Sequence, residues 1–203
     1  MFHVKQTQKD KAMELIGSST SPFVRRIRIL LANTPHTYTE LDIYAGGRNA
    51  LAQQTPIMKI PVLVDKGMHL YDSRVIARYL QQEHGLGRAL SWEEENQLTL
   101  IDGALDSLVV LLLSQRSGLD TEADAMYYRL QKERISSTLS ALEESLNQGQ
   151  FSQWDYPGIC LYSLVDWASF RELIELNDYP QLQQFRERFC GRDEVLATDP
   201  RSA

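Results

Sequence analysis

A proline-led apolar run near residue 60 constrains the fold of this chain more than any other stretch. Residues 58–64 read Met-Lys-Ile-Pro-Val-Leu-Val, and such a β-branched run predicts a strand. Pro61 has no N–H to donate, so it belongs at the first residue or at an edge of that strand. A second strand is predicted at 68–71, and Asp72-Ser73 follows where this strand gives way to a helix. The stretch therefore predicts two strands and then a helix.

The same stretch carries groups that suit a charged, extended ligand. The bond before a proline can be cis at small cost, which leaves the preceding backbone groups facing a ligand. A helix N-terminus has unpaired N–H groups and a partial positive charge, so it accepts a carboxylate. The Asp72 carboxylate beside it can bind an ammonium group. Together these groups predict a site for a peptide-like ligand that carries both charges.

Composition limits the classes of protein to consider. The 203 residues can form one large domain or two small ones, and 43% hydrophobic with 24% charged residues is ordinary for a soluble protein. A net charge of −6 argues against nucleic-acid binding, and the longest aliphatic run, 108–113, is too short to cross a membrane. Cys160 and Cys190 form no metal-type cluster, so we expect no metal and a cytoplasmic protein with incidental thiols.

The first half of the chain alternates strand and helix patterns. Residues 1–12 are polar with no apolar core, and we predict a disordered leader rather than a secretion signal. Residues 13–84 then predict the order β-α-β-α-β-β-α, which matches a thioredoxin-like unit. A helical crossover in its first half predicts parallel pairing there. The predicted elements are strands at 13–16 and 36–41, helices from Pro22 and up to Gln54, the strand pair, and a helix from Ser73 to Gly85.

The second half predicts helices only. Residues 85–91, with Gly85 and Gly87, form the predicted linker, and 92–203 form an all-α domain. Long apolar stripes predict helices at 92–115 and about 122–146. Ser163-Leu164-Val165-Asp166 has the form of a capping box that opens a third helix, and Pro180 starts the last one. The predicted fold class is thus α/β plus all-α: a thioredoxin-like N-terminal domain and an all-helical C-terminal domain.

Four motifs in this order resemble those of the cytosolic glutathione transferases. The segment 17–26, with Ser21-Pro22-Phe23-Val24, is similar to the S-P-F-V-x-[KR] signature of tau-like and related bacterial members. Residues 59–63 resemble their K-[VI]-P-V-L motif, Asp72-Ser73 their [ED]-S pair, and 163–166 their S-x-x-D box. The resemblance covers residues 13–189 and implies glutathione as cosubstrate, a small hydrophobic electrophile as its partner, and a homodimer.

The resemblance implies that the Ser21 hydroxyl donates a hydrogen bond to the glutathione sulfur. A thiol with a pKa of about 8.5 is mostly protonated at neutral pH, and only the thiolate attacks. A hydroxyl donor and a helix N-terminus both favour the anion, so the start of a helix suits this role. The alternative reading of Ser21 before Pro22 is a helix cap without any ligand.

The resemblance also implies roles for the residues around the strand pair. The backbone of Ile60, beside an expected cis-Pro61, would pair with the cysteinyl residue of glutathione. Asp72 and Ser73 would hold the γ-glutamyl end, and Lys59 the glycyl carboxylate. Each has a structural alternative: a trans strand-opening proline, a helix cap, and a solvated surface lysine, respectively.

The remaining polar and aromatic candidates receive structural interpretations. We predict that the three arginines of the first helix, Arg25, Arg26 and Arg28, form a solvated face rather than an anion site. Tyr127 and Tyr128 are predicted to pack in the core or at an interface rather than to line an electrophile pocket. The four histidines are scattered and receive no catalytic role.

Conjugation of glutathione to a small electrophile is the leading hypothesis. A cysteine is absent at position 21, which disfavours the thiol-disulfide chemistry of the family's oxidoreductase branches. The tyrosine that stabilises the thiolate in other members of the family, near the start of the first strand, is also absent from 13–16. Two other classes stay open. One is a non-catalytic regulator such as stringent starvation protein A, which has the same two-domain plan and binds RNA polymerase. The other is a carrier for apolar ligands.

Overall fold

The computed structural model describes residues 12–202 and divides into two compact units, one ending at Leu86 and the other beginning at Gly87. Apart from Ala12, the predicted leader lies outside the described residues.

The N-terminal unit is a four-stranded sheet with three helices. The strand order is β2-β1-β3-β4; β1 and β2 are parallel, and the β1–β3 and β3–β4 pairs are antiparallel. This is the predicted thioredoxin-like βαβαββα order, and the parallel pair is the one joined by a helical crossover. The elements are β1 (Glu14–Gly17), α1 (Pro22–Leu30), β2 (Thr37–Glu40), α2 (Arg48–Gln54), β3 (Val62–Asp65), β4 (Met68–Tyr71) and α3 (Ser73–His84).

Both faces of the sheet are covered, because alternate strand residues point to opposite faces. Ile16 and Val62 pair across β1 and β3 and form a buried cluster with Leu51 of α2. The intervening positions face the other way, towards α1: a Cβ added to Gly17 would lie 2.4 Å from a methyl group of Val24. The helices α1 and α3 also pack on each other.

Among its described residues, the C-terminal unit consists of helices and the turns and loops that connect them, without a strand. Helix α6 is almost entirely buried and packs on α4 and α7, while α4 also packs along α5. The helices are α4 (Trp92–Arg116), α5 (Met126–Asn147), α6 (Tyr156–Phe170), α7 (Pro180–Phe189) and α8 (Asp193–Leu196), with short 3₁₀ turns at Leu176–Asp178 and Pro200–Ser202.

The prediction of a capping box at Ser163 and Asp166 is wrong. Helix α6 already begins at Tyr156, where the Asp155 carboxylate accepts a hydrogen bond from the backbone N–H of Gly158 at 3.4 Å. Ser163 lies inside the helix and its hydroxyl donates to the Ile159 carbonyl at 2.8 Å. Asp166 is buried and binds arginine side chains instead of a helix end. An aspartate followed by a proline in the first turn was the true start signal.

One other helix start differs from the predicted one. Helix α5 begins at Met126 rather than near residue 122, because the Asp120 carboxylate accepts the Glu122 N–H at 2.9 Å and holds that segment as a turn. Helix α4 begins at Trp92, as predicted, and carries a capping box formed by Ser91 and Glu94.

Helix α4 is long and apolar enough to cross a membrane when judged by length and composition alone. A single helix of this kind is weak support for a membrane span, since core helices of soluble proteins pass the same test. Its buried residues, including Leu98, Ile101 and Leu105, lie in the core of the helical unit.

Candidate functional site

The sheet register brings the ends of three strands together. Ile16 pairs with Val62, and Val62 pairs in turn with Tyr71. The C-terminal end of β1, the start of β3 and the C-terminal end of β4 therefore lie side by side at one end of the sheet. The three predicted motifs of the N-terminal unit directly follow or precede these strand ends, so the fold collects them at the same end.

Ser21 lies in the loop after β1 and is the N-cap of α1. Its backbone is extended (φ −86°, ψ 128°), and its hydroxyl oxygen accepts a hydrogen bond from the Val24 N–H at 3.4 Å. Pro22 then occupies the first turn, where a missing N–H costs nothing. A hydroxyl that accepts one hydrogen bond still has a proton to donate. The helix-cap role and the thiol-binding role of Ser21 are thus compatible.

The Ile60–Pro61 peptide bond is cis, as the resemblance implied. Pro61 is buried and immediately precedes β3, where its missing N–H breaks no ladder bond. Ile60 is half-buried, and Lys59 is exposed beside it. A half-buried apolar side chain and an exposed cation therefore lie next to each other at this end of the sheet.

Asp72 caps α3 in an unusual backbone conformation. Its φ is +71° with ψ 125°, and its carboxylate accepts a hydrogen bond from the Arg74 N–H at 2.8 Å. Positive φ is uncommon for residues other than glycine, and strain of this kind concentrates at ligand-binding sites. Asp72 is exposed whereas Ser73, the first residue of α3, is buried.

The predicted solvated face of α1 is wrong for two of its arginines, Arg25 and Arg26, which are both buried. The two side chains are only 2% and 1% exposed. The Arg26 guanidinium donates from Nε to the Ser73 hydroxyl at 2.9 Å, and its Nη2 contacts the same oxygen. This contact links the helix that follows Ser21 to the helix that follows Asp72. Because it joins residues far apart in the chain, nothing in the local pattern could have predicted it.

The other candidates lie elsewhere. His84 contacts the buried Asp65 carboxylate at 2.7 Å, and the Tyr79 hydroxyl donates to the same oxygen at 2.7 Å. Asp65 ends β3, so this network lies at the opposite end of the sheet from the three motifs. In the helical unit, Tyr127 is exposed and makes an edge-on contact with Tyr128, with ring centroids 5.6 Å apart.

Comparison with known proteins shows which family the chain resembles. Residues 15–89 match the family model described as glutathione S-transferase, N-terminal domain. The chain is also 29% identical over 203 aligned residues to the uncharacterized GST-like protein YibF of Escherichia coli K12, covering 94% of this chain and all of that protein. The N-terminal unit thus matches a glutathione S-transferase N-terminal domain, and the chain as a whole is similar to a GST-like protein and to glutathione transferase structures.

Plant and bacterial glutathione transferases are also similar to this chain. Glutathione S-transferase U3 of Arabidopsis thaliana is 36% identical over 78 residues, 37% of this chain and 35% of that protein. A glutathione transferase family member from Pseudomonas fluorescens Pf-5, solved with bound glutathione, is 27% identical with a TM-score of 0.75 over 93% of this chain and 99% of that one. The glutathione S-transferase of Methylobacillus flagellatus, solved with bound glutathione, has a TM-score of 0.82 at 22% identity. At this low identity the similarity shows a shared fold only.

Proposed function

We propose that this protein is a glutathione S-transferase that binds glutathione at the shared end of β1, β3 and β4 and activates its thiol as a thiolate for conjugation to a small hydrophobic electrophile. The observation that carries the proposal is the register that brings the Ser21 loop, the cis Ile60–Pro61 bond and the Asp72-Ser73 pair to one end of the sheet. The relative from Pseudomonas fluorescens with bound glutathione supports the choice of ligand.

The proposed binding mode assigns one group of glutathione to each part of the site. The Ile60 backbone pairs with the cysteinyl residue, and the exposed Lys59 ammonium binds the glycyl carboxylate. The Asp72 carboxylate binds the γ-glutamyl ammonium. The γ-glutamyl carboxylate is held by the Ser73 hydroxyl and by the N-terminus of α3, whose partial positive charge favours an anion.

The proposed chemistry uses Ser21 as a hydrogen-bond donor and not as a nucleophile. Donation from its hydroxyl, together with the N-terminus of α1, stabilises the thiolate and lowers the thiol pKa. With a chloro-nitrobenzene substrate, the sulfur forms a bond to the ring carbon and chloride leaves with the bonding electrons. The enzyme contributes by ionising the thiol and by holding it near the electrophile. By family resemblance, we propose further that the protein works in the cytoplasm as a homodimer.

Conjugation of glutathione to 1-chloro-2,4-dinitrobenzene tests the proposal directly. We expect Ser21→Ala to lower kcat/KM by about 100-fold, the typical loss when one preorganised donor to a developing anion is removed. Ser19→Ala, in the same loop, is the matched control and should retain activity. Calorimetric titration with glutathione should show binding to both variants.

Three outcomes separate the hypotheses. Conjugation that is unaffected by Ser21→Ala would remove Ser21 from the mechanism. Binding of glutathione with no conjugation of any electrophile would favour a non-catalytic regulator or a carrier. An absence of glutathione binding by the wild-type protein would refute the proposed function itself.

A further inference from the structure

Two side chains of the neighbouring strand β2 form hydrogen bonds with the segment that leads to Ser21. The Glu40 carboxylate accepts the backbone N–H of Ser19, with N–O distances of 3.0 Å and 3.1 Å to its two oxygens. The Tyr38 hydroxyl lies 3.0 Å from the Gly17 carbonyl and 2.8 Å from Glu40 Oε2, so its single proton serves both acceptors. We call Tyr38 and Glu40, with these contacts, the β2 clasp.

The clasp is itself held in place. The Arg28 guanidinium lies over the Tyr38 ring, 4.5 Å from its centroid, in the geometry of a cation–π contact. Burial and the hydrogen bond with Glu40 raise the pKa of Tyr38 above its ordinary value, so the phenol stays protonated and remains a donor. Arg28 of α1 and Tyr38 of β2 thus fix the orientation of the Glu40 carboxylate.

The loop has little freedom between the clasp and the helix. The Ser21 N–H donates to the Ser18 carbonyl at 3.0 Å, which closes a tight turn, and the Ser21 hydroxyl caps α1. Only Thr20 separates the clasped Ser19 from the capping Ser21. If the Ser19 backbone shifts, Ser21 should therefore shift with it, because the single intervening residue can compensate for little of the displacement.

We propose that Glu40 is a positioning residue that holds the Ser21 hydroxyl at the place where it meets the glutathione sulfur. The inference rests on the proposed function of Ser21. A donor must stay within hydrogen-bond distance of the sulfur for the thiolate to be stabilised, and small misplacements of such groups are costly. Glu40 lies on β2, which β1 separates from β3 and from the proposed peptide-binding residues beside it, so we expect its effect to concern the thiol and not the rest of glutathione.

The same pair of strands offers a matched control. Glu14 of β1 is another carboxylate whose oxygen accepts a hydrogen bond across the β1–β2 pair, from the Thr39 hydroxyl at 2.6 Å. Its bond joins β1 to β2 and does not involve the loop, and Glu14→Ala removes this acceptor just as Glu40→Ala removes the acceptor of Ser19. A general effect of a lost carboxylate acceptor in this strand pair should appear in both Glu14→Ala and Glu40→Ala, whereas a positioning effect should appear in Glu40→Ala alone.

The first experiment follows catalysis and binding together. Glu40→Ala should lower kcat by about fivefold, since a charge-assisted bond to a backbone N–H is worth roughly this factor at an exposed position. The pH-rate profile should shift to higher pH, because the thiol ionises less readily. Affinity for S-methylglutathione, which has no thiol to activate, should stay within about twofold of wild type. Glu40→Gln keeps an acceptor oxygen and should recover most of the lost rate.

The second experiment needs no activity. Hydrogen exchange of the Ser19 amide should be about fivefold faster in Glu40→Ala than in wild type, and unchanged in Glu14→Ala. Unchanged exchange in Glu40→Ala would overturn the clasp itself. Faster exchange with an unshifted pH-rate profile, or an equal loss of S-methylglutathione affinity, would overturn the positioning role. A wild-type protein that binds no glutathione would instead refute the proposed function and leave the exchange result standing.

Discussion

Replacing Arg26 by methionine should weaken glutathione binding by weakening the contact with one group of the ligand, the γ-glutamyl carboxylate. The Arg26 side chain is 1% exposed and donates from Nε to the Ser73 hydroxyl at 2.9 Å. With its lone pairs engaged by the guanidinium, this hydroxyl acts as a donor towards any further partner. In the proposed binding mode that partner is the γ-glutamyl carboxylate, which also benefits from the buried positive charge.

The magnitude follows from the kind of bond that is lost. Arg26→Met keeps the Ser73 hydroxyl but removes the guanidinium that orients it towards the ligand carboxylate; since a hydrogen bond to a charged group contributes about 1.5–3 kcal/mol, we expect a loss of about 2 kcal/mol, or roughly 30-fold in Kd, for glutathione. The free energy of unfolding should also fall, by about 1–3 kcal/mol, because methionine retains the apolar stem but leaves the buried Ser73 hydroxyl without the guanidinium. The variant is thus expected to fold and to bind more weakly.

Calorimetric titration with two ligands isolates this effect. The first ligand is glutathione, and the second is 4-aminobutanoyl-cysteinyl-glycine, which lacks only the γ-glutamyl α-carboxylate. Arg26→Met should reduce affinity for the first ligand and leave the second nearly unchanged. A double-mutant cycle with Ser73→Ala should show clear non-additivity, since Arg26 acts through the Ser73 hydroxyl. Equal losses for the two ligands would refute the reasoning, because Arg26 would then shape the whole site.

Two further predictions concern stability. Asp65→Asn should lower the melting temperature by about 6 °C, since a buried carboxylate loses about 2 kcal/mol of hydrogen bonding from Tyr79 and His84. Burial alone would raise the pKa of Asp65, but these two hydrogen bonds outweigh it and lower the pKa, so its stabilisation is present above pH 4 and should disappear as the pH falls through the lowered value. Gly17→Ala should destabilise the protein by about 1–3 kcal/mol, because the new Cβ would lie 2.4 Å from a Val24 methyl group. If this clash is the cause, adding Val24→Ala should restore the melting temperature. An unchanged melting temperature in Gly17→Ala would contradict the prediction.

Local patterns in the sequence predicted much of the fold. Strands, helices and their order follow from apolar periodicity, proline and glycine positions, which act over a few residues. The cis bond before Pro61 and the helix that begins at Ser73 were likewise predicted from short motifs. The start of α6 was predicted wrongly, because two capping signals compete in that segment and burial of the whole helix selects the earlier one.

The sequence by itself determined the residue types at the proposed site: a hydroxyl before a proline, a proline before a strand, and an acid with a hydroxyl before a helix. Only the tertiary structure decided what supports them. The contacts of Arg26 with Ser73 and of Glu40 with Ser19 join segments 47 and 21 residues apart. A charged side chain has no periodic signature that tells a buried partner from a solvated one, because its burial depends on which groups the folded chain places opposite it.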